Sequence, residues 1–141
     1  NYWNYTARLK ANNYREILNF NEVLIALNIE ENLPLIGYVF RESFANSNAE
    51  LIKKFIESSK KAKQILLESN DEWLRIVEFT GAKNIKTLEA LRDSFRQGIP
   101  QTDIKSIEKS LKKTYRILAD IGGKKLVGKS LDLDEGTLWK Q

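Results

Sequence analysis

At 141 residues, with 42% hydrophobic and 30% charged residues, the chain has the size and apolar content of a folded domain and not those of a disordered tail. Its 23 Lys and Arg against 19 Asp and Glu give a net charge of +4, and the lysines are spread over several segments instead of clustering as a nucleic-acid footprint would. The absence of cysteine excludes a disulfide scaffold and thiol ligands, the absence of histidine removes the commonest general base, and no apolar run approaches the ~18 residues of a membrane span.

In chain order, residues 2 to 12 place Tyr2, Tyr5 and Leu9 on one helical face beside Trp3 and Ala7, and Asn12 and Asn13 supply a stop because asparagine tolerates the left-handed conformation. Ile17, Leu18 and Phe20 suggest a short strand. Asn21 then reads as the N-cap of a compact helix to Leu27 with Val23, Leu24 and Leu27 inward, followed by a polar turn over Glu30 to Leu33. The run Pro34 to Glu42 is where helical patterning stops. A proline opens it, charge closes it, and its apolar strand formers predict a buried strand.

Arg41 to Asn46 has room for one helical turn. Ser47 and Glu50 have capping-box spacing ahead of the longest predicted helix, Asn48 to Glu68. Its inner face is Leu51, Ile52, Phe55, Ile56, Ala62, Ile65 and Leu66, with Lys53, Lys54, Lys60, Lys61 and Lys63 mostly outward. Ser69 and Glu72 repeat the cap spacing and open a helix that buries Trp73, Ile76 and Val77 and ends at Gly81. Asn84 or Thr87 starts another, with Leu88, Leu91 and Phe95 inward, and Gly98 with Pro100 ends it. Thr102 caps the last long helix, whose stripe Ile104, Ile107, Leu111, Leu118 and Ile121 stops at Gly122 and Gly123. A short turn over Lys124 to Val127 and a tail ending at Trp139 complete the chain.

The sequence contains no metal cluster, no nucleophile with its base and no phosphate loop, so the expectation is a protein without catalytic activity and without a cofactor. Lys124 and Lys125 after two glycines resemble an anion nest but lack the rest of a phosphate loop. The interspersed Glu50, Glu57 and Glu68 make the lysine-rich helix a solvated face, and Trp73, Phe79 and Phe95 fall at core spacing. The expected strands at 17–20 and 33–40 would have at most one partner each within the chain, and a two-stranded unit is marginal in water. The chain begins at Asn1 and contains no methionine, which suggests a fragment or processed form.

Several motifs recur together in order: Tyr2-Trp3-Asn4-Tyr5 with Ala7-Arg8-Leu9, Tyr14-Arg15, Asn21-Glu22-Val23-Leu24, Ala26-Leu27 and Pro34 to Phe40. Leu91-Arg92, Gly98-Ile99-Pro100, Ile121-Gly122-Gly123, Leu126-Val127-Gly128 and Gly136-Thr137-Leu138-Trp139 continue the series. Taken together they resemble the C-terminal part of bacterial ABC-transporter substrate-binding proteins of the nitrate/sulfonate/taurine type, a group that includes pyrimidine-precursor binders. The resemblance implies an α/β fold by family, a two-lobed clamp of periplasmic binding protein type II, with this chain mostly α-helical and carrying about two short strands. Residues 1–45 would end the second lobe with its sheet strands, and residues 46–141 would form a C-terminal helical region. It further implies a small-molecule solute, an ABC permease and a missing N-terminal lobe as partners, no nucleic acid, and a periplasmic or membrane-anchored extracytoplasmic location.

Five residues are candidates for ligand binding. Trp3, Tyr5 and Arg8 combine aromatic faces with a guanidinium, a set suited to stacking on a planar ligand or pairing with a sulfonate or carboxylate. Tyr38 and Arg41 stand at the end of the expected strand, where α/β sheets expose side chains to a cleft. The plainer alternatives are inward-packed aromatics with a solvated Arg8, a core Tyr38 and a capping or surface Arg41. A second functional class, a free-standing helical module that binds another protein, predicts no large apolar patch beside 34–40, whereas a severed lobe predicts one.

Overall fold

The computed structural model describes residues 2–29, 33–34, 36–99 and 104–139, with residue 104 described in its backbone only. Among the described residues eight α-helices follow one another: α1 (Trp3–Ala11), α2 (Phe20–Ala26), α3 (Glu42–Ser47), α4 (Ala49–Glu68), α5 (Asn70–Arg75), α6 (Val77–Thr80), α7 (Ile85–Gln97) and α8 (Ile104–Val127). A 3-10 turn, Glu135–Thr137, precedes the tail. The chain divides into two units, one of Asn1–Glu16 with Ile36–Ile99 and the other of Ile17–Leu35 with Pro100–Gln141.

No strand or sheet occurs among the described residues, which overturns the expected α/β clamp and both expected strands. At 17–20 local hydrogen bonding decides the matter. The Asn19 side chain accepts from the Glu22 backbone N–H at 2.9 Å while Glu22 Oε2 accepts from the Asn19 N–H at 2.8 Å. This capping box starts α2 at Phe20, inside the expected strand, and moves the cap from Asn21 to Asn19. At the second site Leu33 is buried with Leu24 and Ile29 in the core of its unit, and 36–40 is irregular. A strand needs a neighbour to take its backbone groups, and among the described residues neither apolar run has one.

In the first unit α1 packs on α7. Ala7 and Ala11 are buried small residues that let the helices approach, and Lys86 donates to the Asn13 side chain at 2.8 Å beside them. The turn after α1 uses Asn13 at φ 65°, and Asn12 Nδ2 donates to the Arg8 carbonyl. Ser69 caps α5 by accepting from the Glu72 N–H, and Asn84 caps α7 by accepting from the Thr87 N–H. The helix expected from 70 to 80 breaks at Ile76, and Gly81 at φ 64° ends its second half. Asn48, not Ser47, precedes α4, and no side chain caps it, so the Ser47–Glu50 box does not form.

Trp73, Leu88 and Leu91 are buried as core spacing predicts, whereas Phe79 is 90% exposed on the short α6. Of the expected inner face of α4 only Ile52 is fully buried. Leu51, Phe55 and Ile65 are exposed and Ile56 and Leu66 are half-buried, so this face is open.

In the second unit Leu24, Ile29 and Leu33 pack with Leu111 and Ile117 of α8, and Lys113 donates to the Asn28 carbonyl at 2.7 Å. Helical geometry is lost at Gly123, with φ 56° and ψ −158°, where the glycine pair predicts a stop. Ser110 and Ala119 take the most buried places on α8, while Leu118 and Ile121 of the expected stripe are exposed. The Tyr115 hydroxyl lies 2.8 Å from the Val127 carbonyl and 3.0 Å from that of Ser130, and Arg116 pairs with Asp120 and Asp132. The expected Thr102 cap, the turn at 30–32 and Leu35 lie outside the described residues.

Candidate functional site

Along α4, Phe55, Ser59, Ala62 and Leu66 recur at helical offsets and so share one stripe, flanked by Ser58 and Lys63. Because this face is open, the stripe forms the wall of a groove of about 420 Å³ in the first unit. Tyr38 closes one side. Its ring meets Phe55 edge-on, with centroids 4.7 Å apart and planes at 82°. Phe95 of α7 closes the other and stands in a row of rings, 5.4 Å from Trp73 in a T-shaped contact and 6.1 Å from Trp3.

The carbonyl of Leu66 belongs to the last turn of α4 and has no partner within the helix. It accepts two hydrogen bonds from outside, Trp73 Nε1 at 2.8 Å and Arg96 Nε at 3.0 Å. Arg96 Nη2 is buried with no hydrogen-bond partner. Lys63 is half-buried in the groove lining, and among the described residues no carboxylate pairs with it. Glu68, the acid closest after it in sequence, accepts instead from Gln64.

Among the five residues singled out from the sequence, only Tyr38 lines this groove. Trp3 reaches it through Phe95. Tyr5 is exposed on α1. Arg8 is committed elsewhere: Nη2 donates to the Thr80 carbonyl at 2.7 Å and Nη1 to the Gly81 carbonyl at 3.1 Å. The solvated Arg8 of the plainer alternative is thus replaced by a clamp on the end of α6. Arg41 is the residue before α3, where its extended backbone offers its carbonyl to the Ala45 N–H and its side chain makes no cap.

Phe55, Ser59, Lys63 and Phe95 escaped the sequence reading as binding residues. Their signal was present in the 55-59-62-66 spacing, but an apolar helical stripe reads equally as buried core. Lys53, Lys54, Lys60 and Lys61 are exposed, so of the lysines on this helix Lys63 is the one drawn into the groove. Lys124 and Lys125 are exposed beyond Gly123. Beside the groove-lining Phe95 on α7, Arg92 is held above its ordinary range by its hydrogen bond to Asp93 at 2.8 Å, with Coulombic help from Asp93 and Glu89.

No group of potential metal ligands occurs among the described residues, and no helix there is long and apolar enough to cross a membrane. Compared with family models, curated proteins and solved structures, the chain matches none.

Proposed function

We propose that the chain is a non-catalytic solute-binding component of a bacterial ABC importer, of the nitrate/sulfonate/taurine or pyrimidine-precursor type. The observation that carries the reading is the state of residues 36–40, one of the collinear motifs of the resemblance. Ile36, Tyr38 and Val39 are 77%, 65% and 96% exposed on an irregular segment without a strand partner. A contiguous apolar segment of this kind calls for a covering partner. In this reading the cover is an N-terminal lobe of the same gene product, the membrane partner is the permease, and the location is extracytoplasmic. The all-helical fold of the described residues lends the reading no clamp, so its support is the collinear motifs together with this exposure.

The test is a thermal-shift and calorimetric screen of the gene product against nitrate, taurine, larger sulfonates and pyrimidines. A true solute at about 100 times its dissociation constant stabilises by about 2.7 kcal/mol, a rise of several degrees in Tm. No response from any of these classes at millimolar concentration would sink the reading.

A second reading, a free-standing helical module that binds another protein, is favoured by one observation: all regular structure among the described residues is helical. It predicts a protein partner and no solute response, so the same screen separates the two.

A further inference from the structure

We propose that the open face of α4 is the docking site for one acidic amphipathic helix of a partner protein. The proposal rests on the protein-binding reading and deepens it by naming the surface and the kind of partner.

The geometry lies in the order of the exposed residues. Leu51, Phe55, Ser58, Ala62 and Ile65 follow one another at intervals of four, three, four and three, the spacing by which one helix presents a continuous seam to another. All five are exposed, Leu51, Phe55 and Ile65 at 57%, 46% and 42%, along about 21 Å of helix. The helix packs chiefly on α3 and α5, its neighbours in the chain, and Ile52 alone is fully buried on it. Beside the seam, the groove of about 420 Å³ adds a concave wall in which Tyr38 and Phe95 line the space with α4. A seam with a groove along it is the surface on which an amphipathic helix lays its apolar side.

Residue size separates a helix from the other occupants. The middle of the seam is small, with Ser58 and Ala62 between Phe55 and Ile65. Holes of this kind admit the knobs of a facing helix, whereas insertion into a bilayer needs bulky apolar residues along the whole face. A second copy of this chain fits poorly. Paired antiparallel, the Lys54 and Lys61 rows of two copies face each other; paired parallel, Ser58 and Ala62 meet themselves and leave the centre hollow.

Charge then sets the character of the partner. Lys54 and Lys61 are exposed and border the seam in one row, and Lys63 borders the groove. Glu50 and Glu57 lie farther round the helix, and Glu68, next in the row after Lys61, accepts from Gln64. Exposed ion pairs choose between partners more than they add affinity. The apolar seam therefore supplies the binding, and the lysine row selects acidic residues along the edge of the incoming helix.

The experiment titrates the 15N-labelled full chain with a three-heptad peptide that carries Leu along its seam and Glu in the bordering rows. Two further peptides serve as comparisons, one with Lys in place of Glu and one of the first composition with its Leu dispersed round the helix. The amide signals of Leu51, Phe55, Ser58, Ala62 and Ile65 shift with the Glu-bordered peptide. It binds roughly fivefold more tightly than the Lys-bordered peptide at low salt and roughly tenfold more tightly than the dispersed one. Ala62→Phe, at an exposed position, fills the centre of the seam and weakens binding roughly tenfold. Lys54→Glu with Lys61→Glu reverses the order of the Glu- and Lys-bordered peptides, whereas Lys53→Glu with Lys60→Glu, on the far side of the helix, leaves it unchanged. The inference is overturned by equal binding of the dispersed peptide, by binding that survives Ala62→Phe, by no preference for Glu, or by no binding at millimolar concentration. It is equally overturned by self-association that Ala62→Phe abolishes, or by binding to phosphatidylserine–phosphatidylcholine vesicles that the same variant abolishes. Shifts confined to residues outside α4 overturn this site and leave the protein-binding reading standing, and a solute response with no peptide binding removes both. The comparison of the three peptides on the unaltered chain stands whatever the variants do to folding.

Discussion

Arg8 Nη2 donates to the carbonyl of Thr80 at 2.7 Å, joining α1 to the end of α6 across 72 residues of sequence. Nη1 of the same guanidinium reaches the Gly81 carbonyl, so both oxygens at a helix C-terminus face a positive charge. The fork geometry suits arginine here, since one rigid planar guanidinium aims two N–H donors at neighbouring carbonyls at a smaller entropic cost per bond than a flexible ammonium. Arg8→Ala is expected to destabilise the chain by about 1–2 kcal/mol in urea denaturation, with Arg8→Lys recovering part of the loss. A variant of unchanged stability that lost solute binding would return Arg8 to the role its sequence context suggested.

Trp73 does two things at once, packing against Phe95 and donating to the Leu66 carbonyl. Trp73→Phe keeps a ring and loses the donor, and because Arg96 still serves Leu66 the cost is expected to be near 1 kcal/mol. Trp73→Ala opens a cavity in a buried site and is expected to cost about 3–5 kcal/mol. Equal losses for the two variants would show that the hydrogen bond, and not the packing, dominates.

Gly123 holds φ 56° and ψ −158°, a region open essentially to glycine alone. Gly123→Ala is expected to lower the stability of its unit by about 1–3 kcal/mol. Gly122→Ala fails for a different reason, because its new Cβ would stand 2.6 Å from Cβ of Leu126. At Gly37 nothing lies within 4 Å of an added Cβ, so Gly37→Ala is expected to be neutral or mildly stabilising. Thermal melts of the three variants check the ranking.

Asn19 and Glu22 convert an apolar run into a helix start by exchanging side-chain and backbone hydrogen bonds. Asn19→Ala is expected to cost about 0.5–2 kcal/mol and to raise amide exchange through the first turn of α2. If exchange there is unchanged, the box is not what fixes the start of this helix.

Val39 is almost wholly exposed, so Val39→Asp is expected to change the stability of this chain by less than about 0.5 kcal/mol. In the importer reading the same substitution places a charge under the covering lobe and lowers solute affinity of the gene product. Stability and affinity both unchanged would remove the observation on which that reading rests.

Several helix ends were legible in the residues alone, although the start of α2 at Asn19, the uncapped start of α4 and the break at Ile76 were not. The stop at Asn12 and Asn13, the cap at Ser69, the stops at Gly81 and Gly123, and Asn84 as one of two candidate starts for α7 were legible, because each is settled by hydrogen bonds and backbone freedom within a few residues. That 36–40 is irregular and not a strand, that the inner face of α4 stays open, that Arg8 clamps Thr80 and that Lys63 lines an aromatic groove followed from the packing of distant segments. Those outcomes depend on which surfaces meet. A strand exists only beside another strand, and an apolar stripe is core or groove according to what the rest of the chain brings against it.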